Sequence, residues 1–264
     1  MNTLRDTHKN YLNSFVQGDA LDVMRGMPDG SVPLIATSPP YNLRKSIKPQ
    51  SAKSGKWRNA AIVEKGYDGH TDDMEPEDYI AWQRQILAEC LRLIPDDGAI
   101  FYNHQFRIQG GLLQDHHEIL KGSPLRQQII WQRHGGHNFN AGYFVPTYQV
   151  VYLIAKPGFR LAKGANRHGD VWKIPVERKA DWGIDHPAPM PVTLAERIIS
   201  STDAPLVLDP FSGAGTIAIA ARRLGRFYIG IDQSAEYCRM ARDRLEREFT
   251  TPAWRKYFGF VRGA

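Results

Sequence analysis

Two short stretches of this chain carry residue types that chemistry can use. Thr37-Ser38-Pro39-Pro40-Tyr41-Asn42 ends an apolar run, Val32-Pro33-Leu34-Ile35-Ala36, that reads as a buried strand. Proline fixes φ and removes an N–H donor, so two in a row make a stiff bend with free carbonyls. Such a bend can hold the Ser38 hydroxyl and a carbonyl beside one flat ring, Tyr41. A planar base with an exocyclic amino group needs that set: acceptors for its N–H bonds and a face to stack on. The competing reading is a strand-ending turn without chemistry.

The second stretch is Leu206-Val207-Leu208-Asp209-Pro210-Phe211-Ser212-Gly213-Ala214-Gly215-Thr216. An apolar strand leads in, and Ile217 to Leu224 reads as a helix rich in small residues. Gly225 supplies a helix stop, and Phe227 to Ile231 reads as the next strand, ending in Asp232. Strand, glycine turn, helix, strand and acid form the dinucleotide-binding type of unit, with an acid about 20 residues on to bond ribose hydroxyls. The glycine pattern is only Gly213-x-Gly215, so a pyrophosphate ligand is weakly supported and a nucleoside fits better. The alternative is an ordinary βαβ turn in which glycine merely permits the backbone path.

The elements between these stretches predict the rest of a sheet. Glu75-Pro76-Glu77 opens a helix with Tyr79, Gln83, Ile86, Cys90 and Ile94 along one side. Acids in its first turn favour the positive helix end. Ala99 to Tyr102, Arg126 to Trp131 and Gln149 to Ala155 read as strands. Strands alternating with helices argue for a mostly parallel α/β sheet covered on both faces. The last two strands follow each other with no helix pattern between, which predicts an antiparallel pair at one sheet edge.

Two loops break the rhythm. Leu43 to Asp73 carries Arg44, Lys45, Lys48, Lys53, Lys56, Arg58 and Lys65, with Trp57 and Tyr67 among them. A loop beyond about 12–15 residues is usually functional or disordered. Basic groups can neutralise phosphates and aromatics can stack on exposed bases. A nucleic-acid-facing lid and a surface insertion are the two readings. Arg133 to Phe144 reads as a site wall. Its His134 and His137 have no cysteine or acid near at ligand spacing, which argues against a metal.

Composition narrows the class. The chain has 264 residues with 42% hydrophobic content, enough for a sizeable core. A net charge of +6 favours an anionic partner. No apolar run approaches the ~20 residues of a membrane span, and Met1 to Asp6 has no signal-peptide core. Two well-separated cysteines, Cys90 and Cys238, suggest no disulfide framework and no metal cluster. The expected compartment is therefore the cytoplasm.

Together the two motifs resemble those of the S-adenosylmethionine-dependent amino-methyltransferases that act on DNA. With the catalytic motif first and the cofactor motif last, the order resembles the beta group of that family. His186-Pro187-Ala188-Pro189-Met190-Pro191 and the helical Val192 to Ile199 resemble the helix that precedes the cofactor motif there. A polar pair usually stands where Ala188-Pro189 stand, so this portion matches more loosely. The resemblance implies a Rossmann-like methyltransferase sheet, mostly parallel with one antiparallel edge strand and helices on both faces. It implies a single domain over 1–264. The catalytic half covers about 15–155, a small recognition segment about 156–185, and the cofactor half about 186–246.

The resemblance also implies roles. Ser38, Pro39, Pro40 and Tyr41 would be catalytic. Asp209, Pro210, Phe211, Ser212, Gly213, Gly215, Thr216, Asp232 and Asp19 would bind S-adenosylmethionine. Asn42, Arg44, Lys45, Lys53, Lys56, Trp57, Arg58, His137 and Asn138 would contact DNA. No metal is expected. Neither cysteine follows a proline in an active-site loop, so the cysteine nucleophile of carbon-5 methylation is not visible. Serine at position 38 is commoner among enzymes that methylate cytosine N4, and aspartate among those that methylate adenine N6. N4-cytosine is therefore the expected target and N6-adenine the alternative. A silent DNA-binding subunit and methylation of RNA or a protein amide are further alternatives. The short recognition segment suggests that a second subunit, as in a homodimer, or the Leu43–Asp73 loop contributes to DNA contact. The setting such enzymes imply is restriction-modification in bacteria, archaea or phage.

Overall fold

The computed structural model describes residues 7–42, 72–109, 112–114, 117–133, 141–177 and 190–250. In chain order the strands are β1 (Ser14–Gln17), β2 (Leu34–Thr37), β3 (Ala99–His104), β4 (Arg107–Gln109) and β5 (Leu112–Gln114), then β6 (Leu125–Gln132), β7 (Tyr148–Ala155), β8 (Val171–Lys173), β9 (Leu206–Asp209) and β10 (Phe227–Asp232). The helices are α1 (Ala20–Arg25), α2 (Pro76–Leu93), α3 (His117–Leu120), α4 (Val192–Ser200), α5 (Thr216–Arg223) and α6 (Ala235–Thr250).

Eight strands form one sheet in the order β1-β10-β9-β2-β3-β7-β6-β8, and β4 and β5 make a separate hairpin. Pairing is parallel from β1 across to β3, and again between β6 and β8. Among the described strands of this sheet, only β7 runs against its neighbours, β3 and β6. The expected α/β class, the mostly parallel sheet and the antiparallel pair are all present. The position of the antiparallel strand needs correcting. It is not the outermost strand, because β6 and β8 lie beyond it.

The reason lies in the segment read as recognition region. Trp172 pairs with Trp131 across β8 and β6 and is buried. The Trp131 indole donates to the Ile174 carbonyl at 2.8 Å. Burying two indoles stabilises by several kcal/mol, so this short piece of chain joins the sheet.

Strands β2 and β9 are buried along their whole length. That is the continuous apolar pattern of parallel strands covered on both faces. One face packs against α4, α5 and α6, the other against α1, α2 and α3. Helix α2 begins with Pro76 in its first turn, followed by Glu77 and Asp78, all suited to an N-terminus. Helix α1 is capped by Asp19, whose Oδ1 accepts from the N–H groups of Leu21 and Asp22. Among the described residues no helix is long and apolar enough to cross a membrane.

The order of the strands decides where a ligand can sit. From β9 the chain proceeds to β10 on one side, and from β2 to β3 on the other. The strand order therefore reverses between β9 and β2. In open α/β sheets ligands bind outside the carboxyl ends of the strands at such a switch point. Both motifs of the sequence leave the sheet there.

Candidate active site

Ser38 to Asn42 follow β2, and Asp209 closes β9, its parallel neighbour. The two motifs are joined by a buried hydrogen bond. Thr37 Oγ1 donates to Asp209 Oδ1 at 2.7 Å, across 172 positions of sequence. The Phe211 N–H donates to the same oxygen at 3.1 Å. Asp209 Oδ2 has no partner among the described residues. Burial pushes the Asp209 carboxyl up to about 7, against the pull of the Thr37 and Phe211 bonds, and the nearby Asp232 charge adds to the rise.

This shift predicts a pH dependence of stability. The folded carboxyl holds its proton more tightly than the unfolded one, whose ordinary value is 3.8. Its stabilising contribution is complete below that value and is lost as pH rises to about 7. Asp209→Asn removes the titration. The variant's unfolding free energy should therefore fall less than the wild type's between pH 4 and pH 7. Urea denaturation across that range checks it, and parallel slopes would contradict it.

Around Asp209 the remaining cofactor candidates are distributed over three strand ends. Asp232, ending β10, accepts from the Gly213 N–H at 2.7 Å through Oδ2 and from the Ser234 N–H at 2.9 Å through Oδ1. The Gly18 N–H donates to the Asp232 carbonyl at 3.0 Å, which brings Asp19 alongside. Phe211 packs edge-on against Trp82 of α2, with ring centroids 5.6 Å apart. Gly215 has φ +73, and a Cβ there would lie 2.9 Å from the Ala241 Cβ and 3.0 Å from the Phe15 ring. A side chain would be both strained and crowded, so the turn into α5 requires glycine. Ser212 is buried, and its N–H donates to the Ile231 carbonyl at 2.8 Å. Pro210 is buried between Asp209 and Phe211.

One member of that set faces elsewhere. Thr216 Oγ1 accepts from Arg244 at 2.9 Å, and the same guanidinium nitrogen donates to the Ala214 carbonyl at 3.0 Å. Thr216 thus braces the loop from behind, through a buried arginine that the sequence reading did not single out.

The Ser38-Pro39-Pro40-Tyr41 turn is held by a buried polar network. The Pro40 carbonyl accepts from the Tyr79 hydroxyl at 2.9 Å and from Gln83 Nε2 at 3.2 Å. Tyr79 and Gln83 lie one turn apart on α2 and hydrogen-bond each other at 3.0 Å. Gln83 Oε1 accepts from the Tyr102 hydroxyl. His104 Nε2 meets the Tyr79 hydroxyl at 2.7 Å, and its ring packs 5.0 Å from that of Tyr41. The Pro40 carbonyl is thereby anchored inward, while the Pro39 carbonyl has no hydrogen bond among the described residues.

Ser38 Oγ hydrogen-bonds the Tyr41 hydroxyl. Asn103 Nδ2 reaches that hydroxyl at 2.7 Å, Gln149 Oε1 at 2.8 Å and Ser38 Oγ at 3.3 Å. Burial pushes the Tyr41 phenol up to about 12, against the pull of Ser38, Arg133 and Asn103. The phenol therefore keeps its proton at neutral pH. Asn103, His104, Tyr79, Gln83 and Gln149 extend the site beyond the expected set. Their sequence signal is a polar side chain at the end of an apolar strand or on the buried side of a helix. Such residues must be satisfied or functional.

Asn42, expected to contact DNA, is buried, with its N–H donating to Asp72 at 2.6 Å and its side-chain amide to the Met74 carbonyl at 2.8 Å. It ties together the two ends of the 43–71 stretch. Arg44, Lys45, Lys53, Lys56, Trp57, Arg58, His137 and Asn138 lie outside the described residues, as does His134. Among the described residues no group of three or more His, Cys, Asp or Glu could hold a metal ion. Cys90 and Cys238 are both buried, and burial pushes both thiols above their ordinary value. Neither is poised as a thiolate nucleophile.

The fold is that of a Rossmann-like methyltransferase. The family of N6/N4 DNA methylases matches residues 32–243, and the chain belongs to that family. Among its relatives, the type II methyltransferase M.BglII of Bacillus subtilis is 26% identical, over 91% of this chain and 71% of that protein. The type II methyltransferase M2.DpnII of Streptococcus pneumoniae is 28% identical, over 89% of this chain and 90% of that protein. The Thermus thermophilus protein TTHA0409, solved with S-adenosyl-L-methionine, superposes with a TM-score of 0.65 at 25% identity. It is matched over 90% of this chain and 94% of its own. The cytosine-N4-specific PvuII DNA methyltransferase shares the fold with a TM-score of 0.69 at 19% identity, over 89% of both chains.

Proposed function

We propose that the protein transfers a methyl group from S-adenosylmethionine to the exocyclic N4 amine of cytosine in DNA, after the base has flipped out of the duplex. The observation that carries this reading is the Thr37–Asp209 hydrogen bond, 2.7 Å long. It ties the turn after β2, read as base-holding, to the loop after β9, read as cofactor-binding, at the carboxyl ends of two neighbouring interior strands.

The residues present fit the cofactor. Asp19, Asp209 and Asp232 bring three carboxyl groups to adjacent strand ends, and Asp209 keeps one oxygen without a partner among the described residues. A ligand with ribose hydroxyls, an ammonium group and a sulfonium centre complements such a site. S-adenosylmethionine supplies a sulfonium methyl that is already a strong electrophile. The chain's task is then to place the amine and raise its nucleophilicity. Ser38 Oγ and the Pro39 carbonyl accept the two N–H bonds, drawing the nitrogen lone pair out of conjugation. Tyr41 stacks on the base. A base inside a duplex cannot reach this position, so it must leave the stack. Most of the rate comes from positioning. Ser38 is not a base at neutral pH, and the amine proton leaves to water after transfer.

Serine rather than aspartate at position 38 favours cytosine over adenine. The basic and aromatic residues between Leu43 and Asp73, with His137 and Asn138, would contact DNA, and a second copy of the chain would add to that contact. The type II relatives support a restriction-modification setting. Incubation with labelled S-adenosylmethionine and, separately, DNA, RNA or protein tests the class. Label is expected in DNA alone. Label only in RNA or protein would overturn the reading. Cofactor binding without transfer to any of the three would mark a silent subunit.

A further inference from the structure

Neither Asn103 nor Gln149 belongs to a motif, yet both touch the Ser38–Tyr41 pair. The Asn103 amide has two hydrogens and three acceptors within reach. The shorter contacts, to the Tyr41 hydroxyl at 2.7 Å and Gln149 Oε1 at 2.8 Å, take both. The arrangement is fixed by strand pairing. Asn103 pairs with Val151 across β3 and β7, so Gln149, two residues along, lies diagonally on the same face. Gln149 is oriented in turn, because its Nε2 donates to Gln105 Oε1 at 3.0 Å. Turning the Asn103 amide over would set two carbonyl oxygens against each other.

The Tyr41 hydroxyl thus always receives an N–H and has one proton of its own to direct. It has two acceptors, Ser38 Oγ and Gln149 Oε1, the latter at 3.5 Å. A proton given to Ser38 turns the serine's own hydrogen toward the incoming amine, whose hydrogens already point there. A proton given to Gln149 lets Ser38 donate to Tyr41 and present its lone pairs. A hydroxyl, unlike a carboxylate, has to be told which way to face. Resting on the methyl-transfer reading above, we infer that Asn103 and Gln149 are positioning residues. Gln149 accepts the Tyr41 proton and so leaves the Ser38 hydroxyl an acceptor for the target amine, while Asn103, donating to both, holds Gln149 Oε1 beside the phenol.

The test is a double-mutant cycle on methyl transfer to DNA. Gln149→Leu keeps the volume and removes the acceptor. It should lower kcat about tenfold, with KM for DNA and Kd for S-adenosylmethionine within about twofold of wild type. Gln149→Glu restores an acceptor oxygen and should recover most of that loss. Tyr41→Phe removes the proton that needs directing. In a chain already carrying it, Gln149→Leu should lower kcat less than about twofold. The same fall in both backgrounds, or no recovery with Gln149→Glu while cofactor affinity and melting temperature stay at wild-type values, would overturn the inference alone. A wild-type chain that methylates no DNA amine would overturn the parent reading and this one with it.

Discussion

Tyr41→Ala is expected to lower kcat for DNA methylation by about 30- to 1000-fold while S-adenosylmethionine binds as before. Two losses combine. Stacking of a flipped base on an aromatic ring contributes about 1–3 kcal/mol. The hydroxyl that orders Ser38, held by Asn103 at 2.7 Å, goes as well, at about 1 kcal/mol. The ring is buried and packs on His104 at 5.0 Å, so some stability is lost too. Cofactor affinity separates the two effects, because Tyr41 lies on the base side of the Thr37–Asp209 link. Single-turnover methylation beside calorimetric titration of the cofactor checks this. An unchanged rate, or equal losses in rate and cofactor affinity, would show that Tyr41 does not hold the base.

The second large effect belongs to Asp232. Its carboxylate accepts from the Gly213 and Ser234 N–H groups at 2.7 and 2.9 Å, and so shapes the loop that begins at Asp209. Hydrogen bonds to a charged group contribute about 1.5–3 kcal/mol each. Asp232→Ala removes the acceptor of both N–H groups and, on the proposed reading, the acceptor for ribose hydroxyls. Cofactor affinity should fall about 100-fold, and kcat at saturating cofactor should fall far less. Asp232→Asn keeps one acceptor oxygen and should fall between the two. If the alanine variant binds S-adenosylmethionine as tightly as wild type, the loop is not the cofactor site. The Asp209 carboxyl offers an internal check. Its pKa is raised in part by the Asp232 charge, so Asp232→Ala should move that titration downward.

Most of the framework was legible in the sequence because parallel strands buried on both faces write themselves as apolar runs. Leu206–Asp209 and Phe227–Asp232 are examples, and the one helix between them, Thr216–Arg223, was legible from its small and apolar residues. The turn residues were legible because Pro39-Pro40 and Gly213-x-Gly215 have few backbone paths open to them. What the sequence did not disclose depends on long-range pairing. Thr37 meets Asp209 only because β2 and β9 become neighbours across 172 positions. Asn103 and Gln149 read as ends of apolar strands, and nothing local says that antiparallel pairing sets them on one face below Tyr41. The bonds of Asn42 to Asp72 and Met74, made from an αL backbone with φ 58, likewise join residues about 30 positions apart that no local pattern links. Val171–Lys173 was hidden for a different reason: three residues are too few to show a period, and only the facing tryptophan reveals them as a strand.

A serine held as an acceptor for the cytosine amine leaves a direct chemical trace. In mass spectrometry of nucleosides from mixed-sequence DNA incubated with the protein and S-adenosylmethionine, N4-methylcytosine is expected, and it should be absent when Ser38→Ala replaces the wild type. N6-methyladenine alone would overturn the choice of base, and unmodified DNA would overturn amine methylation of DNA altogether.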